Sequence, residues 1–284
     1  MRRSYPRRYA DRRIPVTGVT MWLDGYTATD LLWVAFSIFL LGMSKGGFPV
    51  GGLALPLLIL AWPNQARAAR QAVAFMLPLL CAMDVVAVTL YRRHVDWARL
   101  RPLAGGTLLG VILGSLLFVS DESALLSLSE TTLKIAIGGI GLVFVVYQGA
   151  RKWLLRRMEA THPGRVAGAC YGIAAGVTST LAHAAGPVLQ MYLLPQHLPK
   201  VRFAATTAAF FFLLNLIKVV PFAIAGRFET RGVLVGVLML PVIPLGVAAG
   251  FGLVRVTSQQ HYTALIYVAL TVASASLIVK ALSG

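Results

Sequence analysis

Charge-free apolar stretches as long as a membrane is thick constrain this chain more than anything else in it. Leu103–Val119 and Val233–Val254 contain no Asp, Glu, Lys or Arg. A helix needs roughly 20 apolar residues to cross a hydrocarbon core of about 30 Å. It can do so because it satisfies its own backbone polar groups. Charged residues make up 13% of the chain and hydrophobic ones 57%, where a soluble domain carries about 25% charged residues. Little remains from which to build a domain in water. The chain reads as an all-α integral membrane protein.

Apolar runs bounded by charge fall at 29–61, 70–91, 101–119, 132–150, 165–195, 203–225, 232–254 and 261–281, which predicts about eight transmembrane helices. The first and fifth are too long for simple spans at about 1.5 Å per residue. Each is interrupted, by Gly46-Gly47-Phe48-Pro49 and by Gly186-Pro187, so both are expected to be broken at Gly and Pro. An offset of 134 positions lays Gly42 on Gly176, Gly52 on Gly186, Asp84 on Lys218 and Arg93 on Arg227. The same offset aligns both breaks. We therefore expect two four-span repeats, 28–150 and 165–282, joined by a cytoplasmic loop 151–164. Residues 1–27 read as a disordered basic tail: six Arg in the first twenty residues and no apolar run of the kind a signal peptide needs.

The net charge of +16 does not mark a nucleic-acid binder, because the basic residues sit in the tail and in short loops. Cys81 and Cys170 are far apart inside apolar segments, so no disulfide, metal site or cofactor is expected. If eight spans alternate from a cytoplasmic N-terminus, eighteen Lys and Arg fall inside and six outside. The positive-inside rule then places both termini in the cytoplasm of an inner membrane. In the alternative the broken stretches enter and leave on one side, giving inverted repeats. With a cytoplasmic N-terminus, that would put the Arg-rich loops 92–101 and 151–165 outside, against the rule.

Ionisable groups inside a membrane are costly and mark function. Lys45 lies in the glycine-rich break, and the glycines Gly46 and Gly47 let backbone approach a ligand. A half-helix resuming after such a break offers free N–H groups and a positive dipole end, which suits an anion. Ser179 takes the place of Lys45 in the second half, with His183 and Gly186 in the same break. Asn215 lies three residues before Lys218 and shares its helix face. Lys45, Gly46, Gly47, Ser179, His183, Gly186 and Asn215 are the candidate substrate-binding residues. Asp84 and Lys218 are expected either to neutralise each other across the repeats or to handle substrate or protons. The hydroxyls of Thr178 and Thr180 are expected to bond back to their own backbone. Gly106, Gly110 and Gly114, like Gly168, Gly172 and Gly176, recur at helical spacing and read as packing faces. No Gly-x-Ser-x-Gly, His-Glu-x-x-His or P-loop is present, so neither an enzyme nor ATP-driven transport on this chain is expected.

Gly42–Gly52, the Asp84 helix ending in Tyr91-Arg92-Arg93-His94-Val95-Asp96-Trp97, the later Gly-Pro break, Asn215-x-x-Lys218 and Gly226-Arg227 resemble the sulfite exporter TauE/SafE family over roughly residues 28–282. The resemblance implies transport of sulfur-containing anions such as sulfite, sulfoacetate or thiosulfate, and in some members of other organic anions. The second break, Ala182-His183-Ala184-Ala185, departs from the family's glycine-richer form and leaves the substrate open. Export suits an anion, since each outward negative charge gains about 2.3 kcal/mol per 100 mV of interior-negative potential. The expectation is a permease whose partners are a small anion and the lipid bilayer, with a homodimer allowed and nucleic acid excluded. The competing reading is a non-transporting membrane subunit that binds a partner or a lipid.

Overall fold

The computed structural model describes residues 26–45, 48, 50–119, 128–157, 163–256 and 259–283. Every regular element among them is helical. The expected tail lies outside the described residues up to position 25, as do 158–162 of the loop between the halves. The helices are α1 (Ala28–Lys45), α2 (Gly51–Leu60), α3 (Ala68–Tyr91), α4 (Trp97–Val119), α5 (Glu130–Arg157), α6 (Arg165–Ala182), α7 (Gly186–Leu193), α8 (Lys200–Ile224), α9 (Thr230–Met239), α10 (Val242–Val256) and α11 (Gln259–Ser283). Five stretches are long and apolar enough to cross a membrane: Ala28–Lys45, Gln65–Thr89, Trp97–Phe118, Glu130–Ala150 and Val201–Ile224. Helices α9 and α10, bent by 49° at their break, make a sixth if the pair is taken as one span.

Glycine decides which faces meet. On α4, Gly106 and Gly110 lie so close to α6 that an added Cβ would strike the carbonyl oxygens of Ala169 and Ile173. From the other side, Gly172 abuts the Leu103 carbonyl. The two glycine ladders read from the sequence are one seam, and small residues let helix backbones approach in this way. Opposite the seam, Leu108, Ile112 and Leu116 of α4 are exposed, as a lipid-facing stripe should be. Gly42 on α1 and Gly246 and Gly250 on α10 make a second backbone-to-backbone seam. Gly138 and Gly141 of α5 receive Ser274 and Ile278 of α11. At the centre, α3 packs on α8, and Ala68, Ala69, Ala72, Val73 and Leu77 of α3 have no exposed surface.

Contacts between helix ends fix which ends share a face. The start of α3 meets the start of α9 through Gln71 and Glu229, just beyond the end of α8, and meets the start of α5 through Ala69 and Glu130. The end of α2 meets the end of α11, where Lys280 Nζ donates to the Leu60 carbonyl at 3.3 Å. All these ends share one face. The opposite face gathers the end of α3, the start of α4, the end of α7 and the start of α8: the Asp96 N–H donates to Thr206 Oγ1, and Arg99 to Gln196 Oε1.

Helices α1 and α2 do not continue one another across the membrane. The ring of Tyr26, just before α1, packs edge-on at 6.2 Å against Trp62, just after α2. Their outer ends therefore meet, and the pair is a hairpin entering from the first face. Helices α6 and α7 form the corresponding hairpin from the opposite face. There Tyr171 near the start of α6 packs against Tyr192 near the end of α7 at 5.6 Å, and Tyr192 Oη donates to the Arg99 carbonyl. The first and fifth apolar stretches thus turn back at their breaks, and the five to six candidate spans among the described residues do not reach the expected eight.

Candidate functional site

The C-terminal end of α1 carries Lys45 to the tip of the first hairpin, beside α3 and α8. Its Nζ donates to Asp84 Oδ1 at 2.8 Å and lies 5.9 Å from the centroid of the Phe211 ring. Asp84 has no exposed surface. Asn215 Nδ2 donates to its other oxygen, Oδ2, at 2.6 Å. A buried carboxylate needs such partners, since burial without them costs far more than the pair returns. Lys45 differs: 33% of its side chain is exposed. An ammonium has three donors, and Asp84 uses one.

The tip of the second hairpin holds the mirror of this contact. Lys218 Nζ, on α8 and without exposed surface, donates to Ser179 O at 3.1 Å, Ser179 Oγ at 2.9 Å and His183 Nδ1 at 2.9 Å. His183 Nε2 lies 2.9 Å from the Val73 carbonyl on α3. A carbonyl only accepts, so the proton sits on Nε2 and leaves Nδ1 free to accept from Lys218. His183 caps α6 in the left-handed conformation, φ 50°. That backbone is uncommon for a non-glycine residue and is held here by ring contacts to both central helices.

Asp84 and Lys218 do not form the direct ion pair considered from the sequence. Each bonds instead to the hairpin tip of its own half: Asp84 to Lys45, Lys218 to Ser179. The two contacts are equivalent under the 134-residue offset, and each spans 39 residues. The basic group sits on the hairpin in one and on the long helix in the other. Asp84 still lies within electrostatic reach of Lys218, as does Cys81, the position equivalent to Asn215. Between the tips there are thus two amino groups and one carboxylate.

Of the other candidates, Gly186 opens α7, three residues beyond His183. Gly46 and Gly47 lie outside the described residues. Thr178 and Thr180 do bond back to their own helix, at the Ala174 and Gly176 carbonyls. Phe211 and the Val73 carbonyl were not anticipated. One of three consecutive phenylalanines carries no distinguishing mark in sequence, and a backbone acceptor carries none at all.

A family profile, sulfite exporter TauE/SafE, matches residues 33–277, nearly all of the helical body. The chain belongs to the sulfite exporter TauE/SafE family. No curated protein and no solved structure matches it significantly. As a TauE/SafE protein it is a multi-pass membrane transporter for sulfur compounds. No group of three or more His, Cys, Asp or Glu residues able to hold a metal occurs among the described residues.

Proposed function

We propose that this TauE/SafE protein is a permease for a small sulfur oxyanion or organosulfonate, that Lys45 is its principal anion ligand, and that it works in export. The observation that carries the reading is the state of Lys45. It is held by a buried carboxylate on one side, with spare donors and a third of its side chain exposed on the other. Exposure of an ammonium to hydrocarbon is expensive, so that open side faces water. A fixed cation reachable by solvent inside a helical bundle suits an anion site.

The contact pattern supports two inverted repeats. Helix α10 packs on α1 as α4 packs on α6, while α3 with α8 and α5 with α11 pair across the halves. Inverted repeats with broken helices meeting at depth are a common transporter plan. The hairpins also change what the loop charges imply. Twelve Lys and Arg now belong to the face of loops 92–101 and 151–165, and six to the other face between α1 and the end of α11. The arginines of residues 1–20 would level the two faces, so the support for an orientation comes from the inter-helix loops. We place the 92–101 face in the cytoplasm, which keeps loop 151–164 cytoplasmic and moves both termini to the other side. On that face Arg93, His94 and Arg202 line a cleft of ≈ 240 Å³ with Asp96. Such a basic recess concentrates anions before they enter.

Counterflow in proteoliposomes with labelled sulfite, thiosulfate, small sulfonates and small carboxylates tests the assignment. Accumulation of one or more sulfur anions, competed by unlabelled substrate, is expected. Exchange of carboxylates alone, or of nothing in the panel, would overturn it.

A further inference from the structure

The two hairpin tips are chemically paired but not in the same condition. Asp84 lies seven residues before the end of α3 and Lys218 six before the end of α8. The two helices run in opposite directions. Each contact therefore lies about 10 Å inside a different face, at about 1.5 Å per residue: the Lys45 contact toward the 92–101 face, the Lys218 contact toward the 64–70 face. At the first, one donor of a partly exposed ammonium is engaged. At the second, all three donors of a wholly buried one are engaged, and His183 adds a tie to α3. Outside the tips the same contrast holds. Arg93 lines the cleft of ≈ 240 Å³, whereas its counterpart Arg227 lines one of ≈ 20 Å³. Trp62 Nε1 donates to Gln71 Oε1 there at 2.8 Å, and Gln71 in turn donates to Glu229. Phe118 and Phe222 stack at 4.9 Å with no exposed surface.

We propose that Lys218 is the latch of a gate: by filling its three donors with Ser179 and His183 it clamps the second hairpin to α8 and shuts the path toward the 64–70 face. Lys218 is thus a positioning residue, not an anion ligand in this state, because no donor is left to offer. An anion arriving from the Lys45 end competes for the Lys218 protons. Capture of any one of them removes a hold on the Ser179–His183 tip. The left-handed backbone at His183 then loses a restraint that keeps it there, and the hairpin can withdraw. This inference rests on the permease reading but is tested without transport.

The test is face-specific thiol labelling in the full chain carrying Cys81→Ser and Cys170→Ser. Ala184→Cys at the second tip and Ser44→Cys beside Lys45 serve as reporters. A membrane-impermeant maleimide is applied to sealed vesicles of either orientation. With Lys218 present, Ser44→Cys should label from the 92–101 face and Ala184→Cys should be protected from the 64–70 face. Lys218→Met should raise Ala184→Cys labelling from the 64–70 face at least tenfold. His183→Ala should do the same, and His183→Asn, which tolerates the left-handed backbone, should do so less. Unchanged protection in both Lys218→Met and His183→Ala would overturn the latch. A rise from both faces equally would also overturn it, because that marks general loosening. If Lys218→Met does not fold, His183→Ala decides alone. Absence of sulfur-anion flux in the unmutated protein would sink the permease reading and leave these labelling patterns standing as evidence for or against the gate.

Discussion

Asp84 is the residue around which the site is built, and its partners can be separated. Lys45→Met leaves a buried carboxylate with Asn215 alone, and Asp84→Asn leaves the ammonium without its counter-ion. Breaking a buried pair costs about 3–5 kcal/mol, and the exposure of Lys45 places its loss at the lower end. Each single variant should melt earlier in detergent. Lys45→Met with Asp84→Asn should recover a large part of the loss, giving a coupling energy above about 1 kcal/mol in a double-mutant cycle. Additive losses would show that the pair contributes nothing to stability. Asp84→Asn with Lys218→Met should show much weaker recovery, since those residues share no direct contact. The polar side chains of this cluster stand out in the sequence, because a charge or amide inside an apolar run has few innocent explanations. The pairing does not. The offset identifies equivalent positions, and equivalents invite the thought that they touch. They touch within each half instead, at a spacing of 39 residues that recurs in both. That recurrence is readable in principle from 45, 84, 179 and 218, once a hairpin is assumed.

Helix packing was legible to the extent that it depends on glycine. The ladders on α4 and α6 announced close approach, and the structure seats them on each other. Gly110→Val should therefore lower stability by about 1–3 kcal/mol, the usual cost of overpacking, because the added atoms meet the Ile173 backbone. Gly139→Ala meets nothing within 4 Å and should be neutral or slightly stabilising, as Ala is the better helix former by roughly 1 kcal/mol. Thermal melting of purified protein in detergent distinguishes the two, and equal effects would contradict the seam. The breaks in the first and fifth stretches were also plain, since some thirty apolar residues exceed one crossing. That the chain turns back was not. A Gly-Pro break permits a kinked span and a hairpin alike. The choice is made by contacts such as Tyr26 with Trp62, which lie 36 positions apart and carry no local signal.

For the molecule as a whole, the proposed orientation keeps loops 92–101 and 151–164 on the side that alternation of eight spans gives them and moves both termini to the other. Reporter fusions after Arg93 and Arg157 should read cytoplasmic, and fusions after Asn64, after Phe228 and at the C-terminus should read extracytoplasmic. A cytoplasmic signal at Asn64 together with an extracytoplasmic one at Arg93 would invert the proposed orientation. Opposite signals at Tyr26 and Asn64 would disprove the first hairpin. On the proposed function, transport depends on what the paired tips do to an anion, and the neutral pair isolates that. Lys45→Met with Asp84→Asn keeps the two side chains close to their native size while removing both charges. Sulfite flux should be measured in proteoliposomes holding equal amounts of the unmutated protein and of this variant, both shown to be folded by melting. The variant should melt near the unmutated protein and carry less than about a tenth of its flux. A folded variant that transports at the full rate would show that Lys45 is not the anion ligand.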